Sequence, residues 1–274
     1  MPRKNYLFLS KFTMRLIAII AVLSDHIAFA FVMPNTALYS VMRIFGRVAF
    51  VLFAFFVVEG AVYSKNKDRY LLRLLYLYII MQVLIVSFNL YDASFIFQNI
   101  FLTLGAGASL LVYFEKKEWR KVYYIIPFLL AVTVNVLALN VGIFGLLIYA
   151  GDYGNYGLLL IVGFYVTYIF TKKLLAKYNI NPTDDATPAF VEPQMILNSA
   201  LSIFLLIYTF IYYVLDIYSL TTFDVGMQSF AIITIPLFMF YSGKLGYTSK
   251  AWQTIYYVFF PLHIIIIAII SQLL

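Results

Sequence analysis

Cysteine is absent from this chain. That excludes disulfides, a thiolate metal site, a cysteine nucleophile and a lipid-modified cysteine. Charge is scarce: 11% of the 274 residues are Asp, Glu, Lys or Arg, against about a quarter in soluble domains. There are two histidines, and no HExxH, GxSxG, P-loop or dinucleotide-binding glycine pattern. No polar stretch is long enough for a separate soluble domain. Apolar residues make up 64% of the chain, and the mean hydropathy is +0.93. One soluble core cannot hide that much apolar surface. The composition therefore predicts an all-α polytopic membrane bundle, with residues 1–274 as a single integral domain. The net charge of +7 invites a nucleic-acid reading. The basic residues cluster between apolar runs, however, and so predict orientation in a bilayer and no nucleic-acid partner.

Phe12 to Val32 holds the first apolar run. It is long enough to cross a bilayer as a helix, and the pair Asp25-His26 interrupts it. Ala28-Phe29-Ala30 mimics a signal cleavage site, but the run is too long and too divided for a signal peptide. Further spans are expected at Val41 to Tyr63, Tyr70 to Phe88, Phe95 to Phe114, Val122 to Leu139, Leu158 to Leu175, Met195 to Tyr218, Gly226 to Ser242 and Gln253 to Leu273. Val141 to Gly157 reads as a Gly-rich loop or re-entrant piece, and Lys177 to Gln194, with three prolines, as a loop. If the loops alternate, with the N-terminus inside, 17 of the 19 basic residues fall inside. Only Arg43 and Arg47 fall outside. The positive-inside rule then predicts about nine spans, N-terminus inside and C-terminus outside, in a multi-pass plasma or inner membrane protein.

Both histidines, His26 and His263, are expected at mid-span, with Asp25 and Glu59 as intramembrane acids. Such groups are costly in lipid and point to function or to interhelical pairing. Arg15 and His26 are 11 residues apart, about three turns and about 16 Å, on nearly the same helix face. An anionic carrier binding at Arg15 could reach the imidazole. Arg69 and Arg73, an i,i+4 pair at the same mouth, could hold phosphates or could simply be inside-facing anchors. Glu59 is expected to pair with one of these arginines. His26 suits general-base work on an acceptor hydroxyl or amine. Asp25 points about 100° away from it on the helix, so it should reach a neighbouring helix instead, at Arg47 or His263. No metal site is expected.

Several segments together resemble the TraX family of integral membrane proteins, named for a protein needed to acetylate the N-terminus of conjugative pilin. They are Leu23-Ser24-Asp25-His26-Ile27, Met42 to Phe50 with Phe53-Ala54-Phe55 through Glu59-Gly60, Arg69 to Leu74, Asn99 to Leu104, Asp152-Tyr153-Gly154 and Phe260-Pro261-Leu262-His263. The resemblance covers nearly the whole chain. Tyr241 to Gly246 is a looser version of a family turn. The family is similar to transmembrane acyltransferases, including the acyltransferase-3 proteins, in which a basic residue and a His share the first helix at the spacing of Arg15 and His26. The resemblance implies a catalytic His26; Asp25 and His263 are further catalytic candidates by their intramembrane placement, and whether His263 shares a site with His26 depends on helix packing. It also implies cytoplasmic acyl-CoA, acetyl-CoA by analogy, as co-substrate contacted by Arg15; Arg69 and Arg73, by their spacing, are the further candidates for its phosphates.

The expectation is thus acyl transfer to an outer-side acceptor near Arg43, Arg47 and Asp152. The acceptor would be a peptide or pilin amine, a glycan or a lipid. Two rivals stand beside it: a transporter or flippase relaying protons through the intramembrane Asp, Glu and His, and a non-enzymatic assembly factor.

Overall fold

The computed structural model describes residues 6–91, 98–116, 119–140, 149–180, 192–217 and 225–273. The described chain is helical, with no strand among the described residues and one isolated bridge between Leu9 and Tyr241. In order come α1 (Lys11–Phe31), α2 (Ala37–Tyr63), α3 (Lys67–Tyr91), α4 (Ile100–Glu115), a 3-10 turn (Trp119–Ile125), α5 (Ile126–Asn135) and a π turn (Val136–Asn140). Then follow α6 (Gly154–Lys177), α7 (Pro193–Ile217), α8 (Val225–Gln228), a 3-10 turn (Ser229–Thr234), α9 (Ile235–Met239) and α10 (Lys250–Leu273). Seven described helical stretches are long and apolar enough to cross a membrane, and Ile100–Glu115 and Ser229–Met239 are shorter apolar helices. The protein is a polytopic helical membrane protein. The expected start of the fourth span at Phe95, residues 141–148 of the Gly-rich segment, residues 181–191 of the proline-containing loop and the end of the seventh span at Tyr218 lie outside the described residues.

Local chemistry sets the helix starts. The side chains of Ser10, Thr36 and Asn99 accept hydrogen bonds from the amides of Thr13, Tyr39 and Phe101 at the first turns of α1, α2 and α4, filling donors that a helix start leaves open. Two expected spans are segmented. Pro127 stands at the beginning of α5 and Pro236 at the beginning of α9. Each lacks an amide proton, so the preceding turn cannot run on as regular α-helix and closes as 3-10 instead.

The centre of the bundle is α2. Every residue from Gly46 to Glu59 is buried in it, whereas α1 buries only one face. A helix that is apolar all round belongs inside, screened by neighbours on every side. One α2 surface takes α1, and others take α4, α6 and the 3-10 turn before α9. Aromatic rings lock this middle layer. Phe55 meets Phe238 edge-on at 5.2 Å and Tyr241 at 5.6 Å.

The start of α1 is tied to the segment before α10. The amides of Leu9, Lys11 and Phe12 donate to the carbonyls of Phe240 (3.0 Å), Lys244 (2.8 Å) and Leu245 (3.1 Å). Phe12 packs edge-on against Trp252 at 4.9 Å. Hence α1 and α10 begin at the same end of the bundle and run parallel. This tie also answers the Glu59 expectation. Glu59 pairs with Lys11 at 2.8 Å and accepts the Tyr241 hydroxyl at 2.7 Å, not an arginine. The tie between residues 9–12 and residues 240–245 sets a lysine and a tyrosine beside the carboxylate.

Candidate functional site

A cavity of about 270 Å³ opens between α1, α2, α3, α10 and the residues flanking α4 and α6. Asp25, His26, Arg43, Arg47, Asp152 and His263 all line it. Six of the ten residues singled out from sequence thus converge, from four separate stretches of chain. The cavity lies toward the end of the bundle where α1 finishes. His26 is five residues from the end of α1, about 7 Å, so it is not at mid-helix as expected. The apolar run Phe12 to Val32 has almost the same limits as α1, and its middle is Val22, four residues before His26.

The histidines form a directed pair. Their rings are nearly parallel, 7° apart, and His26 Nδ1 lies 2.9 Å from His263 Nε2. On the far side, His263 Nδ1 is 2.8 Å from the Phe259 carbonyl. A carbonyl only accepts, so the His263 proton sits on Nδ1. With both rings neutral, His263 Nε2 must accept and His26 Nδ1 must donate. That leaves the lone pair of His26 on Nε2. The chain thereby selects the tautomer in which His26 is a base. Pro261, two residues before His263, is inside α10 and removes a rung from its ladder.

Asp25 sits beside the pair without bonding either ring. Its Oδ1 accepts from Arg47 Nη2 at 2.5 Å and its Oδ2 from Arg43 Nη1 at 2.8 Å. The sequence expectation that Asp25 reaches a neighbouring helix holds, and Arg47 is one of its two partners. Arg47 also donates from Nε to the Arg43 carbonyl at 3.2 Å, which fixes its rotamer along α2. Gly46 makes the approach possible, because a β-carbon there would overlap the Asp25 side chain. With Asp152, the cavity holds two arginines and two carboxylates, formally neutral. Tyr153, at a positive φ of 64°, closes this side. Its ring stacks on Phe50 at 3.7 Å and lies 6.0 Å from the Arg47 guanidinium.

Arg15, Arg69, Arg73 and Glu59 do not line the cavity. They lie toward the opposite end, near the start of α1, the end of α2 and the start of α3. The Arg15 guanidinium rests over Tyr256 (5.0 Å) and Phe56 (5.7 Å), and its Nε is buried without a hydrogen-bond partner. Arg69 and Arg73 are exposed, and Arg73 Nε donates to the Arg69 carbonyl at 3.3 Å. Arg15 and His26 do share a face, as the spacing predicted. Both look toward α10, at Tyr256 and at His263, seven residues apart on that helix. Between these levels stands Phe260, edge-on to Tyr256 (5.6 Å), Phe53 (5.3 Å) and Phe101 (5.2 Å). Sequence reasoning passed over Gly46 and this aromatic wall. A glycine inside a helix, which costs about 1 kcal/mol relative to alanine, was the available signal for Gly46. The wall had none, because phenylalanine is everywhere in this chain.

These features define a helical membrane protein with a buried, polar, histidine-bearing cavity. The chain belongs to the TraX protein family, whose model matches residues 10–271. It is also similar to a protein described as a probable fimbrial assembly protein FimC, serogroup H1, of Dichelobacter nodosus. That similarity is 41% identity over 73 residues, 27% of this chain and 30% of the other; it spans under a third of that relative's length. No solved structure matches.

Proposed function

We propose that the protein is a membrane-embedded acyltransferase. It would move an acyl group, acetyl by analogy with the family's namesake, from acyl-CoA to an amine or hydroxyl. The observation that carries this reading is the His26–His263 pair. It places a base with a defined free nitrogen on the wall of a cavity otherwise lined by paired charges. His26 Nε2 takes the proton from the acceptor N–H or O–H as that atom attacks the thioester carbonyl. The C–S bond then breaks, and the CoA thiolate leaves and recovers the proton from His26. His263 holds the tautomer and shares the charge of the transient imidazolium, the task of the third group in a catalytic triad. Arg43 and Arg47, held by Asp25, present positive potential toward the carbonyl oxygen as it gains charge.

Acyl-CoA would dock at the end of the bundle bearing Arg15, Arg69 and Arg73, the cytoplasmic end by charge. Arg15 supports this, since its Nε is buried and unpartnered and suits a phosphate oxygen. The acceptor would enter at the cavity end, where Asp152 would attract an amine. The similarity to a fimbrial assembly protein favours a pilin-type peptide as acceptor and the inner membrane as location.

The test is labelled acetyl-CoA added to membranes containing the protein, reading label transferred and free CoA thiol released. His26→Ala is expected to lower the transfer rate by about 10²–10⁴-fold. Undiminished transfer by His26→Ala overturns the proposal. Solute flux without thiol release would instead favour the transporter reading.

A further inference from the structure

A second, larger cavity of about 770 Å³ lies away from the histidines, between α3, α4 and the 3-10 turn and α5. Its floor is Gly105, Ala106 and Ser109 on α4, and its walls include Leu71 and Leu75 on α3 and Leu130 on α5. Along α3 it runs from Asp68 to Tyr78, about 15 Å. That is half the thickness of a bilayer's hydrocarbon core, about 30 Å. It is the reach of one leaflet's chains and too short for a partner's spanning helix. The inner end closes on Phe101, which is also a wall of the histidine cavity.

The polar groups at the other end are already satisfied. Tyr124 donates to Asp68, Lys116 donates to Asp68 Oδ1 (2.9 Å) and to the Tyr124 hydroxyl (2.5 Å), and Tyr123 donates to Tyr124 (2.9 Å). Ser109 donates to the Tyr124 carbonyl. The crevice therefore asks its occupant for hydrocarbon and not for hydrogen bonds. Among the described residues this end is basic. Lys65, Lys67, Arg69, Arg73, Lys116 and Lys121 stand against two acids, Asp68 and Glu115, an excess of four positive charges. In a 3-10 turn residues three apart share an edge, so Lys121 stands one turn beyond Tyr124, on the side where a headgroup would lie.

We infer that this crevice is a binding site for an anionic phospholipid, one acyl chain lying along α4 and the headgroup at the end bearing Lys116 and Lys121. The hydrophobic effect holds the chain, and interfacial cations choose the headgroup. The site does not depend on the acyl-transfer proposal.

The full chain, purified in mild detergent, is equilibrated with phosphatidylglycerol or with phosphatidylcholine of the same acyl chains, and retained lipid is counted by native mass spectrometry. One phosphatidylglycerol per chain is expected, in excess over phosphatidylcholine. Gly105→Leu should remove it. A β-carbon at Gly105 meets only Leu74, at 3.9 Å, so the new side chain fills open space on a helix it favours. Leu130→Trp, on the other wall, should do the same if Gly105→Leu loses its melting transition. Lys121→Gln should lower the preference for phosphatidylglycerol about fivefold, the worth of one interfacial cation, with the chain still bound. Equal retention of the two lipids by the unmodified protein, or undiminished phosphatidylglycerol in both crevice-filling variants, overturns the site.

Discussion

Asp25 shows how one carboxylate can be accommodated in a cavity lined by membrane helices: two guanidiniums meet its two oxygens, and a glycine opposite leaves room for the contact. Removing one member of such an arrangement strands the others. Asp25→Ala is expected to cost about 3–5 kcal/mol, because buried Arg47 and half-buried Arg43 lose their shared partner; thermal unfolding in detergent measures it. Gly46→Ala should cost about 1–3 kcal/mol through the forced overlap with Asp25, although alanine is the better helix former. A Gly46→Ala protein as stable as the parent would show that α1 and α2 separate at little cost there. For the histidines, His263→Phe removes the acceptor of the His26 Nδ1 proton while keeping an aromatic ring. The expected result is slower transfer with folding retained, read from the labelled acetyl-CoA reaction beside a melting temperature lowered modestly by the unpaired His26 donor.

Among the elements, the tie between the N-terminal segment and the segment before α10 fixes where α1 begins, and Glu59 is its buried anchor. Tyr241→Phe leaves one carboxylate oxygen short of a donor and should cost about 1.5–3 kcal/mol, again read by unfolding. What was legible in the sequence follows the same division. The helices were legible because the bilayer demands long apolar runs, and most spans fall within a few residues of their expected limits. Pro127 and Pro236 segmented two of them, and both prolines were in plain view. The Asp25–Arg47 contact was legible from helix geometry, since an acid on an apolar helix must find a cation on the next one. Glu59 was misassigned because its partners are Lys11, at the start of α1, and Tyr241, far along the chain, a meeting that no periodicity records. The wall at Phe260 depends on three helices meeting, and so lay beyond any reading of one stretch at a time.

At the scale of the whole molecule, direction matters more than length. Because α1 and α10 start at one end and run the same way, a chain threading the bilayer between them makes an odd number of passes. Seven or nine satisfies that condition and eight does not, so the two short apolar helices, Ile100–Glu115 and Ser229–Met239, either both cross or both stay. The contact of Lys67 with Glu115 at 3.7 Å sets the end of α4 beside the start of α3. The expected count is nine. A chain without cysteine is ready for the measurement, since each thiol introduced is the sole one present. Cysteines placed singly at Ser64, Lys116 and Lys244 should react with an impermeant maleimide from one face of the membrane, and one at Met33 from the other. Labelling of the Met33 and Lys116 variants from the same face would rule out a crossing by α4 and, by the same parity, one by the Ser229–Met239 stretch.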